Sequence, residues 1–249
     1  MIARVTAGDG SKKPLVLAHR GARREEPENT IPAFTRALRQ GADGIELDVH
    51  RTSDNSLVVH HDADTPELGV LANLTVKEIK LSRPDIPTLE EVFAACKNCL
   101  INVEIKNMPT DADYDESNKT ADLVVDLISG LDRQDDAIIS SFNMSSINQV
   151  LKLAPNMATG FLVSPVFDFV SALALCRDNG HGALHPFMSM LAFDEGVEFI
   201  NASHQFGINV NVWTVNEVSD IEHLISIGVD SIITDVPDTA IKIRDSLSS

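Results

Sequence analysis

Cysteine, basic charge and long apolar runs are all scarce in this chain of 249 residues. Its three cysteines can build neither a disulfide framework nor a four-thiolate zinc site. Cys96 and Cys99 form a lone CxxC, and Cys176 stands far from them. The pair reads as two small half-buried residues where a helix runs into the next strand. The 20 Lys and Arg are outnumbered by 37 Asp and Glu, leaving a formal net charge of -17. A surface for a polyanion needs the reverse balance, so no nucleic-acid partner is expected. No stretch approaches the ~18 to 20 apolar residues of a membrane span; the longest, Phe169–Cys176, is short and contains Ser171. No apolar run precedes Pro14 that would form a secretory signal, so a cytoplasmic location is expected.

What the chain does have is alternation. Strand-like runs at Leu15–Ala18, Gly44–Val49, Leu100–Ile105, Ala137–Ser140, Ala158–Val163, Gly182–His185, Ile208–Val212 and Ser231–Thr234 are interleaved with amphipathic stretches. The helices read as Thr30–Gln40, Thr88–Lys97, Ser117–Gly130, Ser145–Ala154, Phe167–Asp178, Asp194–Phe206, Asn216–Gly228 and Pro237–Ser246. No Pro/Gly/Ser-rich linker interrupts them, so residues 1–249 read as one domain. Eight strand–helix pairs in a chain of this length predict an α/β fold of the (β/α)8 TIM-barrel type, with a doubly wound open sheet as the alternative. Leu57–His60 reads as an extra strand in a short insertion after the second barrel strand. In either fold a ligand sits at the C-terminal ends of the strands.

Those ends carry a polar constellation. His19 and Arg20 follow the first strand; Glu46 and Asp48 lie two apart on the second, and Glu104 and Lys106 two apart on the third. Residues two apart on a strand face the same side. Three inward carboxylates at ~5 Å would repel by roughly 3 kcal/mol per pair, so a cation is required among them. Lys106 and Arg20 could serve in a purely structural ion-pair network. One divalent cation fits better, and oxygen-only ligands favour Mg2+, with Ca2+ second, over Zn2+. His60, His61 and Asp62 end a further apolar run, and strand alternation admits only one of the two histidines to the mouth. Carboxylates, an arginine, a lysine and two histidines suit phosphoryl chemistry.

The stretch from Leu17 to Asp62, with HRG, PENT, IELD, TSD and VHHD, resembles the glycerophosphodiester phosphodiesterase family. The likeness continues through IPTLEEV, VEIK, SSF, WTVN and GVDSIITDVP, so it spans nearly the whole chain. The resemblance implies a (β/α)8 barrel that hydrolyses small glycerophosphodiesters to glycerol 3-phosphate and an alcohol with a divalent cation. It puts the acid/base histidines on His19 and His61, leaving His60 turned away. It puts the metal carboxylates on Glu46, Asp48 and Glu104, the phosphate-contacting arginine on Arg20, and further pocket positions on Lys106 and Trp213. The implied mechanism is attack by the glycerol 2-hydroxyl, giving a cyclic phosphate that water then opens, with His19 assigned as base and His61 as acid. Lysophospholipids or other choline and inositol phosphodiesters are the alternative substrates, and a catalytically silent phosphodiester-binding barrel is the alternative class.

Other positions read more plainly. Glu28 and Asn29 are expected to brace Arg20 or its loop. Asn216 reads as a helix N-cap, and Asp235 with Pro237 as a helix start. The short segment from Thr65 to Pro87 predicts a shallow mouth that reads the alcohol head group weakly.

Overall fold

The structure is a computed structural model that describes residues 13–191 and 195–247. The N-terminal segment read for a signal, and Asp194 as a helix start, lie outside the described residues. Eight parallel strands close on themselves: β1 (Leu15–His19), β2 (Gly44–Arg51), β6 (Leu100–Ile105), β7 (Ala137–Ser141), β8 (Ala158–Val163), β9 (Ala183–Pro186), β10 (Asn209–Val212) and β11 (Ser231–Thr234). Each pairs with the next in that order, and β11 returns to β1, as expected of a (β/α)8 barrel. Around it lie α1 (Ile31–Arg39), α3 (Leu89–Ala95), α4 (Lys119–Gly130), α5 (Met144–Leu153), α6 (Phe169–Asp178), α7 (Glu195–Gln205), α8 (Val218–Ser226) and α9 (Pro237–Leu247).

Local sequence explains the element ends. Thr30 caps α1 by accepting from the Ala33 amide, and Pro32 sits in the first turn, where its missing N–H is no loss. Ala33, Phe34 and Ala37 form the buried stripe of that helix. Thr88 and Glu91 form a reciprocal capping box that starts α3. Cys96 closes α3 and Cys99 precedes β6, both buried. Burial pushes their thiols up to about 12 and about 11, which leaves them protonated and inert, as their bland reading required.

Inside the barrel, Leu17, Leu100, Ile138 and Ile233 form an apolar cluster. Gly44 is needed there, because a Cβ would come within 2.3 Å of the Leu100 carbonyl and 2.7 Å of Leu17. Around this cluster the interior is polar. Glu46, Asn102, Ser140, His185, Asn211 and Ser231 are all buried, with Asn211 donating to Nε2 of His185 (2.9 Å) and accepting from Ser231 (2.8 Å).

Strand β2 outruns the barrel. Its last residues pair antiparallel with β3 (Leu57–Val59), the extra strand that the sequence indicated. The chain then makes β4 (Asp64–Thr65), β5 (Gly69–Val70) and α2 (Val76–Ser82), none of which the alternation had indicated. Thr75 and Glu78 cap α2 by a second capping box. Val58, Leu71, Ile79 and Ile86 give this excursion a small core of its own.

Candidate active site

The turn after β1 begins the site. Arg20 and Gly21 take left-handed backbone angles (φ 54° and 84°), and a Cβ on Gly21 would come within 2.6 Å of the Ala33 backbone. The turn aims the Arg20 amide at β2, where it donates to the Glu46 carbonyl (3.0 Å) and carboxylate (3.1 Å). Glu46 and Asp48 from β2 and Glu104 from β6 converge, with one oxygen of each within 4.8 Å of the others. They are only 3%, 1% and 9% exposed, which decides their electrostatics.

Two cations meet this cluster. Lys106 lies 3.1 Å from Glu104 and 3.6 Å from Asp48, and the Arg20 Nε lies 3.2 Å from Asp48. Burial opposes ionisation of Asp48, but Lys106 and Arg20 outweigh it and hold the carboxyl below its ordinary range. Burial pushes Glu104 up to about 7 in spite of Lys106. Burial, then the charges of Asp48 and Glu104, push Glu46 well above the ordinary range. Among the described residues Glu46 has no side-chain ion pair. Three buried oxygen donors with one carboxylate left uncompensated form a set that could hold a hard divalent cation. Glu28 and Asn29 brace the cluster as expected: Glu28 accepts from Arg20 (2.9 Å), and Asn29 donates to Asp48 (2.9 Å).

The histidines have carboxylate partners of their own. Nδ1 of His19 lies 2.7 Å from Asp235, and Asn216 donates to the other Asp235 oxygen (2.9 Å) while accepting from the Asp235 amide (2.9 Å). Burial opposes ionisation of Asp235, yet the His19 and Asn216 bonds hold its carboxyl below the ordinary range. The reading of Asn216 and Asp235 as plain helix-start residues is therefore corrected. Glu217, not Asn216, occupies the N-cap of α8, and the Asn216 side chain is spent on Asp235. The 216-residue separation of His19 and Asp235 gave no local signal; only strand order brings them together.

Nδ1 of His61 lies 2.7 Å from Asp62. Burial, then the Lys106 and Arg20 charges, lower the His61 pKa against the opposing pull of Asp48, so the ring stands within electrostatic reach of the carboxylates. The His60 ring bonds the Asp62 carbonyl (2.9 Å) instead. The expectation that His60 turns away while His61 alone reaches the pocket is corrected, because the two follow β3 in a loop that strand alternation does not govern. His60 lines a cavity of about 160 Å3 together with His61, Glu28, Asn29, Arg83 and Asp85. Trp213 follows β10, donates from Nε1 to the His185 carbonyl (2.7 Å), and packs edge-on against Phe142 and Phe187 at 5.5 and 5.1 Å. Its ring also packs against the cluster of Leu17, Leu100, Ile138 and Ile233.

Residues 19–239 match the Glycerophosphoryl diester phosphodiesterase family. The chain is 36% identical over 248 residues to a glycerophosphodiester phosphodiesterase of Caldanaerobacter subterraneus subsp. tengcongensis, covering 93% of this chain and 98% of that protein. Among solved structures, the glycerophosphodiester phosphodiesterase of Thermotoga maritima is 28% identical, with a TM-score of 0.81 over 93% of this chain and 99% of that one. A phosphodiesterase of Oleispira antarctica, solved with the product sn-glycerol-3-phosphate, is 25% identical, with a TM-score of 0.81 over 93% of this chain and 97% of that one. Fold, site and relatives agree, and the chain belongs to the glycerophosphoryl diester phosphodiesterase family.

Proposed function

We propose that this chain, an enzyme of the glycerophosphodiester phosphodiesterase class, cleaves small glycerophosphodiesters to glycerol 3-phosphate and an alcohol by histidine acid/base catalysis at a divalent-cation site. The observation that carries the reading is the three-carboxylate cluster set beside two histidines whose Nδ1 atoms are each held by an aspartate. The product held by the Oleispira antarctica relative supports a small-molecule substrate with a glycerol 3-phosphate half.

Glu46, Asp48 and Glu104 would hold the cation, Mg2+ first and Ca2+ second, which supplies positive charge beside the phosphate oxygens when bound. Arg20 and Lys106 add cationic donors for the same anion. Trp213 offers an apolar face to the glycerol carbons. Asp235 fixes Nδ1 of His19, leaving Nε2 to accept the proton of the glycerol 2-hydroxyl as its oxygen bonds to phosphorus. Nε2 of His61 gives a proton to the alcohol oxygen as the P–O bond breaks. Water then opens the cyclic phosphate with the two histidines in exchanged roles. Holding hydroxyl and phosphate in one molecule makes the first step intramolecular.

A second reading extends the substrate range. Val166, Phe167 and Val170, just after β8 at the mouth end of the barrel, are exposed, which favours contact with the acyl chain of a lysophospholipid. The test assays release of glycerol 3-phosphate from glycerophosphocholine, glycerophosphoethanolamine and glycerophosphoglycerol, and of choline and lysophosphatidic acid from lysophosphatidylcholine, with Mg2+, Ca2+ or chelator. Turnover of the first three within ~100-fold of one another in kcat/KM supports a mouth that reads the head group weakly. Release of glycerol and phosphocholine in place of glycerol 3-phosphate and choline, or turnover unchanged by chelator, overturns the reading.

A further inference from the structure

We infer that His50 and Asp113 are positioning residues that fasten the β6–α4 crossover to the backbone of His61; the inference rests on the acid/base reading of His61. His50 lies two residues beyond Asp48 on β2, and its side chain is 1% exposed, so its partners are set by protein alone. Its Nδ1 lies 2.7 Å from Asp113, whose side chain is 5% exposed. Its Nε2 lies 3.2 Å from the His61 carbonyl. One buried ring thus joins a carboxylate on one segment to a carbonyl on another.

Both attached segments are loops, residues 106–118 between β6 and α4 and residues 60–63 between β3 and β4. The crossover leaves β6 directly after Lys106. Its stem is tied by Asn107, which donates to the Asp115 carbonyl (3.0 Å) and to Asn118 (3.2 Å), and by Ser146, which donates to Asn118 (2.8 Å). Asp113 lies between these ties and reaches β2. His61 has left β3, and its amide-side neighbour is held by the His60 amide donating to the Asp48 carbonyl (3.1 Å). The His50 bond fixes the peptide unit that follows His61. A buried charged acceptor with a single hydrogen-bonded partner is costly to leave unpaired, so the Asp113–His50 contact has a strong preference for the closed arrangement. The consequence is a fixed distance between His61 and the carboxylate strands, which general acid/base transfer needs to within a fraction of an ångström.

A double-mutant cycle tests this on the full-length chain with glycerophosphocholine and saturating Mg2+. Asp113→Ala should lower kcat about tenfold with KM changed less than twofold, and Asp113→Asn, whose amide N–H can donate to Nδ1 while Nε2–H donates to the His61 carbonyl, should recover most of the loss. In the His61→Ala background, Asp113→Ala should cost less than twofold, because a residue acting through His61 has nothing left to position. Equal losses in both backgrounds overturn the fastener, as does wild-type kcat in Asp113→Ala. His61→Ala at the wild-type rate overturns the acid/base reading as well, a pattern distinct from the first two. Should Asp113→Ala unfold on heating well below the wild type, His50→Gln carries the same cycle, with thermal unfolding recorded for every variant.

Discussion

His19 and Asp235 lie 2.7 Å apart because the first and last strands of the barrel are neighbours. The carboxylate holds one ring nitrogen and leaves the other free for the base role proposed above. Asp235→Asn should therefore lower kcat roughly 10- to 10^3-fold, within the range for a general base, with little change in KM. Steady-state kinetics on glycerophosphocholine decide it; a rise in KM alone would place Asp235 in binding instead.

The uncompensated Glu46 carboxylate carries a second prediction. Its raised pKa means that the metal-free fold favours the protonated form: this contribution to stability is complete below the unfolded-state value near 4.5 and lost as pH rises through the higher folded-state value. At pH 8 in chelator, Glu46→Gln should melt above the wild type, while titration calorimetry with Mg2+ or Ca2+ shows binding weakened at least about tenfold. A lower melting temperature combined with unchanged ion affinity would refute the cation site.

His61→Ala should lower the rate by roughly 10^2- to 10^4-fold, and His19→Ala likewise, with ion affinity retained in both. His60→Ala should stay within a few-fold of wild type, since its ring bonds only a backbone carbonyl. Single-turnover rates on matched preparations separate the two adjacent histidines; the opposite ranking would exchange their roles.

Two histidines away from the mouth set a pH dependence of stability. Burial lowers His185 to about 3 and His181 to about 4, from an ordinary value of 6.5. Between those values the unfolded chain binds more protons than the folded one, so stability falls as pH drops from about 6.5 toward 4. The melting temperature should decline across this window, and His181→Gln should flatten the decline. Thermal melts at pH 7 and pH 5 suffice, and equal slopes for variant and wild type would rule out the assignment of the effect to His181.

The alternation of apolar runs and amphipathic stretches was enough to read the barrel, because each strand buries a continuous apolar face and each helix a stripe. The same two-residue period read Glu46 with Asp48 and Glu104 with Lys106 onto one mouth. It could not reach Asp235, His50 or Asp113, whose partners are set by ring closure and by a crossover loop. The polar interior around His185 and Asn211 was equally hidden, since single Asn and His residues within short strands look the same whether they face the barrel axis or the helices. Helix α2 escaped for a different reason: seven residues with a stripe reduced to Ile79 carry too little periodicity to register.

The antiparallel return of β3 along β2 sets the excursion that follows it apart from the barrel wall. Val59 pairs with Val49, and the His60 amide bonds the Asp48 carbonyl, so the chain re-enters the mouth at a point set by β2 itself. Residues 65–87 touch that geometry at their end, where the Pro87 carbonyl accepts from the Val59 amide (2.8 Å), and through Val58, which packs with Leu71, Ile79 and Ile86. Insertions or replacements there can reshape what lies over the pocket while His61 keeps its place beside the carboxylates, so that substrate range and bond-breaking chemistry are free to diverge on separate schedules.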